Sequence, residues 1–181
     1  MLSRIFDRNK NTPAVPHQLY GMVVAQARLP AFFTDYEFPD TVMGRFDVLI
    51  LHLFLICHRL GLEGQAKADN LSQEVFDCFV ENLETALREL GIGDSSVPKK
   101  KKKLVRSFYG SVEDFNGPLK QRDQLLLATA INKRFFDNGS SNVSAQLAQY
   151  CCATSDQLAQ SEIDTFYQGE LSWANIPPVQ S

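Results

Sequence analysis

The feature that most constrains the fold is a segment at residues 46–57 that is apolar at nearly every position. A helix through this segment has almost no polar face, and such a helix is stable only where other elements surround it. The longest uninterrupted apolar run, residues 48–57, has ten residues and includes His52, whereas a membrane span needs about twenty. The segment therefore predicts a central, buried helix over residues 40–60.

Apolar residues recur at helical spacing on both sides of this segment. Residues 71–90 follow a 3.6-residue period, and the capping-box pair Asn70 and Gln73 predicts where that helix begins. No run of strand-like alternation is present. The patterns predict an all-α, single-domain bundle of six or seven helices over residues 17–171. We expect a loose leader at 1–16 and a frayed tail at 172–181 on either side of the bundle. The expected helices lie at about 17–28, 40–60, 70–90, from Pro98 through an apolar face that reaches Phe115, and 118–136, with two shorter ones within 141–171.

A basic run interrupts an otherwise acidic chain. The formal net charge is −3, but eight consecutive residues carry +6 and no acid, which leaves −9 for the rest. Cations at the start of a helix oppose its dipole, so local stability does not explain the run. It is either a solvated face or a site that attracts a polyanion such as ribosomal RNA or anionic lipid. DNA is not an expected partner. The basic residues are Lys99, Lys100, Lys101, Lys102, Lys103 and Arg106.

The spacing of the histidines and cysteines does not favour metal binding or catalysis. His52 and His58 lie about 240° apart around one helix, and Cys57 is no better placed relative to His52. No zinc-ligand spacing, nucleophile elbow or phosphate-binding loop is present in the sequence. We therefore expect no catalytic residue, no metal and no cofactor. The four cysteines, which form no C-x-x-C pair, indicate a reducing compartment.

Two neighbouring features are candidates for a binding surface. A short connector between prolines is rich in aromatic residues, which either fill the protein's own core or form an apolar patch that receives a partner helix. The next turn holds Arg45 and Asp47, which form either a structural ion pair or a charged edge of a groove. The connector aromatics are Phe32, Phe33, Tyr36 and Phe38.

Several sequence blocks, in this order and spacing, resemble the ubiquinol–cytochrome c chaperone family. The resemblance covers roughly residues 17–120, and residues 121–181 match only weakly. The blocks are Leu19-Tyr20-Gly21, Ala25-Gln26-Ala27-Arg28, Pro39-Asp40-Thr41, Gly44-Arg45-Phe46-Asp47, Leu51-His52, Phe76-Asp77, Leu87-Arg88-Glu89, Gly91-Ile92-Gly93-Asp94 and Phe108-Tyr109-Gly110.

This resemblance implies a non-enzymatic, all-helical assembly factor that binds newly made cytochrome b. On that hypothesis Arg45, Asp47 and Asp94 would rim a groove that also includes the connector aromatics. The basic run would keep the complex near a ribosome or an anionic inner membrane, and a small helper protein is a further possible partner. Because the first residues do not form a convincing presequence, we expect a bacterial cytoplasmic protein peripheral to the inner membrane, with the mitochondrial matrix face as the alternative.

Two other classes of function stay open at this point. The basic run alone would suit a ribosome- or RNA-binding regulator, whose affinity would fall steeply with ionic strength. An enzyme whose site is assembled from distant residues would show a deep pocket containing titratable groups.

Overall fold

The structure is a computed structural model and describes residues 14–179. Within that range it is all-helical, which confirms the predicted fold class. Six helices have twelve residues or more, and α2 and α8 are single short turns. The helices are α1 (Val15–Ala27), α2 (Ala31–Thr34), α3 (Val42–Gly61), α4 (Ala66–Glu89), α5 (Val97–Gln121), α6 (Gln124–Phe135), α7 (Ser141–Gln160) and α8 (Ile163–Tyr167).

The predicted central helix is α3, which packs against α1, α4, α5 and α7. Leu51 and Leu53 are fully buried, and Phe54 is 1% exposed, as a helix without a polar face requires. The Thr41 hydroxyl caps its first turn by accepting a hydrogen bond from the Gly44 N–H at 3.1 Å. A side chain at position 44 would lie 1.9 Å from the Pro39 carbonyl oxygen, so only glycine fits there.

Two of the predicted helix boundaries were wrong. We expected a new helix at Pro118, but α5 continues through that residue to Gln121. The chain turns instead at Arg122, which has a left-handed φ of 56°, and the Asp123 side chain caps α6. Helix α4 begins at Ala66, before the capping-box pair, and its N-cap makes no side-chain hydrogen bond.

The two ends of the described chain are held against the bundle. Most of the predicted leader lies outside the described residues, and α1 already begins at Val15. The tail has no helix over 172–179, yet it packs on the core rather than fraying. Tyr36 donates a hydrogen bond to the Pro177 carbonyl at 2.8 Å, and the Trp173 ring meets the His52 ring edge-on at 5.2 Å. Between residues 14 and 179 no helix is long and apolar enough to cross a membrane.

Candidate functional site

An apolar groove of about 200 Å³ lies between α1, the start of α3 and the second half of α4. Its floor belongs to the core, but its lips present apolar side chains to solvent: Val42 is 57% exposed, Met43 53% and Leu90 53%. Exposed apolar side chains that converge on one groove are a common sign of a binding surface. The other lining residues are Tyr20, Val24, Ala27, Arg28, Arg45, Phe46, Leu49, Phe79, Asn82, Leu83, Ala86, Leu87 and Leu104.

The charged residues at this groove are arginines. Arg45 is exposed, pairs with Asp40 at 2.7 Å and lies 5.7 Å from the centre of the Phe33 ring. Arg28 is exposed and forms no ion pair within residues 14–179. The lining contains no carboxylate, so the groove is apolar with a cationic edge.

One polar contact stiffens the wall of the groove. Tyr20 on α1 donates a hydrogen bond to the Asn82 side-chain oxygen on α4 at 3.1 Å. Burial raises the pKa of Tyr20 to about 12, so its hydroxyl stays protonated. This bond ties α1 to α4, the two helices that face each other across the groove, and it offers no group for acid–base chemistry.

Three of the four connector aromatics lie in the core rather than on a surface. Phe32 and Tyr36 are fully buried, and Phe38 is 2% exposed. Phe32 packs edge-on against the rings of His52 and Tyr150. A partner can contact these three rings only if the connector opens, so the alternative in which the connector fills its own core fits the structure. Phe33 is half-buried and stays at the surface beside Arg45.

The two predicted acidic rim residues do not line the groove. Asp47 is half-buried and faces the Arg134 guanidinium, and burial outweighs the attraction of that cation, so its pKa is raised from 3.8 to about 6. Asp94 is exposed and pairs with Arg88. Arg45 pairs with Asp40 and not with Asp47. Of the predicted client-binding set, only Arg45 lines the groove, and Phe33 lies beside it.

The basic run occupies the first turns of α5, where one of its residues faces the bundle and the others face solvent. Lys101 turns toward α4, where its ammonium pairs with Glu84 at 2.5 Å. The other four lysines and Arg106 are exposed, and none of them forms an ion pair with a described residue. Of the five lysines only Lys101 contributes to the packing of the bundle.

Both buried histidines make hydrogen bonds within the fold. His52 contacts the Val48 carbonyl at 2.8 Å and the Tyr150 hydroxyl at 2.9 Å, and His58 contacts Asn116 at 2.7 Å. Burial lowers the pKa of His52 to about 4. In the part of the chain that the structure describes, no group of three or more His, Cys, Asp or Glu side chains could hold a metal ion.

The residues that sequence reasoning missed are the apolar lips of the groove. Leu90 fits the apolar period of α4, which places it on the buried face of that helix. The sequence analysis assigns no binding role to Val42 or Met43. A signal was available, because adjacent Val42 and Met43 at the first turn of a capped helix cannot both point into the core.

Comparisons with known proteins agree with this architecture. The structure superposes on the crystal structure of the Cbp3 homolog from Brucella abortus with a TM-score of 0.81 and 33% sequence identity, over 92% of each chain. The chain is 22% identical to the Drosophila melanogaster ubiquinol-cytochrome c reductase complex assembly factor 1, over 97% of this chain and 73% of that protein. The sequence profile of one family matches residues 34–173, so the match includes most of the C-terminal region that resembles the family only weakly. The chain belongs to the ubiquinol-cytochrome C chaperone family.

Proposed function

We propose that this protein is an assembly chaperone of ubiquinol–cytochrome c reductase, and that its α1–α3–α4 groove holds an apolar helical segment of newly made cytochrome b. The observation that carries the proposal is the exposure of Val42, Met43 and Leu90 around one open groove. The family name and the name of the fly relative support an assembly role. The groove adds a physical reason for a hydrophobic client.

The shape and charge of the groove indicate what kind of segment fits. A helix laid in a groove presents residues at i, i+3, i+4 and i+7, and apolar side chains there would displace water from the lips. Arg28 and Arg45 at the edge favour a client segment with an acidic residue or an exposed helix C-terminus. Because most of Arg45 is exposed, its charge steers encounter more than it strengthens the final complex.

The buried connector rings do not need to touch the client on this proposal. Phe33 and Arg45 keep their predicted contact role, whereas Phe32, Tyr36 and Phe38 support the base of α3. The ribosome near its exit tunnel and a small helper protein stay predictions about further partners. We place the chaperone at the inner surface of the membrane into which its client is inserted.

A charge placed in the groove tests the proposal. Met43→Asp and Leu90→Asp each put a carboxylate among apolar side chains that a client would cover, and the matched control is Leu125→Asp, at an 80% exposed leucine outside the groove. The assay is co-purification of epitope-tagged cytochrome b co-expressed with each variant, with thermal melting as the folding control. We expect the two groove variants to lose about 2 kcal/mol of binding, or roughly thirtyfold, and the control to bind normally. Normal binding by both groove variants would place the client elsewhere.

A further inference from the structure

Four of the five exposed basic residues in the run form a single stripe, and Lys100 lies off it. Lys99, Lys102, Lys103 and Arg106 recur at three- and four-residue spacing, so their side chains leave the helix on one side. The stripe extends about 10 Å along the helix axis. The opposite side of α5 carries Phe108, which is 3% exposed, and packs on the bundle. The fold thus presents the charges outward as a group.

The stripe costs the protein stability and contributes little to packing. Its lysines crowd the positive end of the α5 dipole, and the N-cap residue Ser96 makes no side-chain hydrogen bond that would offset this. Lys101 alone is neutralised by α4, through Glu84. An external anionic partner would relieve the repulsion that the fold leaves in place.

We propose that this stripe docks the protein on an anionic phospholipid bilayer. The four cations lie along a convex helix face rather than in a groove, which suits a plane of headgroups better than a single nucleic-acid strand. Three of the four are lysines, point charges on flexible stems that suit a diffuse anionic surface, whereas paired phosphate recognition favours arginine.

The surroundings of the stripe favour lipid over RNA in two further ways. Tyr109 follows Arg106 by three residues and is 54% exposed, and a half-exposed tyrosine suits the headgroup level of a membrane. None of the stripe cations lies over an aromatic ring within the described residues, and no exposed row of aromatic rings offers bases a stacking platform. Since the rest of the chain carries −9, an anionic surface would repel it and so orient the molecule with α5 toward the bilayer.

Vesicle binding by the full chain tests this inference without any client protein, so its outcome is independent of the proposed chaperone role. The vesicles contain phosphatidylglycerol and phosphatidylcholine, with pure phosphatidylcholine as the zwitterionic control. The test variant is K99Q/K102Q/K103Q. The matched control is K67Q/K120Q/K133Q, which removes the same charge from α4, the far end of α5 and α6, away from the stripe. Circular dichroism confirms that both variants are folded.

Each basic residue near an anionic surface contributes about fivefold to binding, so the stripe variant should lose on the order of a hundredfold and the control only a few-fold. Binding should also weaken with salt and be absent on pure phosphatidylcholine. Equal losses in the two variants, or no wild-type binding to anionic vesicles at low salt, would overturn the proposal. Tighter stripe-dependent binding to single-stranded poly-uridine RNA than to vesicles would overturn it in favour of RNA.

Discussion

Two buried ionisable groups give the stability of this fold opposing pH dependences. Burial lowers the pKa of His52 from 6.5 to about 4 and raises that of Asp47 from 3.8 to about 6. His52 is neutral in the folded state. As the pH falls from 6.5 toward 4 the histidine of the unfolded chain binds a proton before that of the folded chain, so the free energy of unfolding decreases. Asp47 acts with the opposite sign: the folded state binds its proton first, so acidification through pH 6 stabilises the fold.

The size of each effect follows from the linkage relation. Between pH 7 and pH 5, His52 costs about 2 kcal/mol of unfolding free energy. Over the same range Asp47 returns about 1 kcal/mol, after a discount for its partial exposure. His58, whose pKa burial also lowers, adds to the loss. Asp47 therefore offsets about half of the unfolding free energy that the wild type loses through His52 between pH 7 and pH 5.

Asp47→Asn removes the group that offsets the effect of His52, so the full loss of unfolding free energy caused by His52 can be measured. We expect the variant to lose about 1 kcal/mol more than the wild type between pH 7 and pH 5. The measurement is urea unfolding followed by circular dichroism at pH 7, 6 and 5, with a constant m-value as the check on two-state behaviour. Glu113→Gln removes an exposed carboxylate of α5 and controls for net charge. Equal losses in the wild type and D47N would refute the reasoning.

Two further substitutions test the packing. Gly110→Ala should destabilise the fold by about 1 kcal/mol, because a Cβ there would displace the Arg134 guanidinium from its hydrogen bond to the Ser107 carbonyl at 3.2 Å. The control is Gly21→Ala in α1, whose Cβ would meet nothing within 4 Å and which should stabilise the fold by about 0.5–1 kcal/mol. The same sign for both variants in thermal melting would contradict the α5–α6 contact. Tyr150→Phe should lower the free energy of unfolding in urea by about 1–3 kcal/mol, because it removes the hydroxyl that lies 2.9 Å from the His52 ring nitrogen. An unchanged unfolding midpoint would show that this buried hydrogen bond does not stabilise the fold.

Local sequence patterns predicted the helices but not the tertiary contacts that each helix makes. The apolar segment at 46–57 required a buried helix whatever surrounded it, so α3 was predictable to within two residues. Boundaries failed where tertiary contacts overrode local signals: Pro118 is accommodated inside α5, and α4 begins without a capping side chain.

The candidate site was predictable only in part, for a similar reason. Whether the connector aromatics are buried depends on contacts such as Phe32 with Tyr150 and Tyr36 with Pro177, which join residues more than a hundred positions apart. The electrostatic surroundings of Asp47 include Arg134, which belongs to a helix outside the region of clear resemblance. The groove itself arises from three helices and has no signature in any one of them.

The contact between Tyr36 and Pro177 also determines when the core of this protein can finish folding during synthesis. Pro177 follows Tyr36 by 141 residues, so the segment that covers the connector, from Trp173 to Pro177, is made well after the connector itself. Until then the rings of His52 and Tyr150 lack part of their cover, and domains fold only when their contacting segments are all available. The nascent chain therefore closes this part of its core only after the segment from Trp173 to Pro177 has emerged, and until then the connector exposes apolar surface.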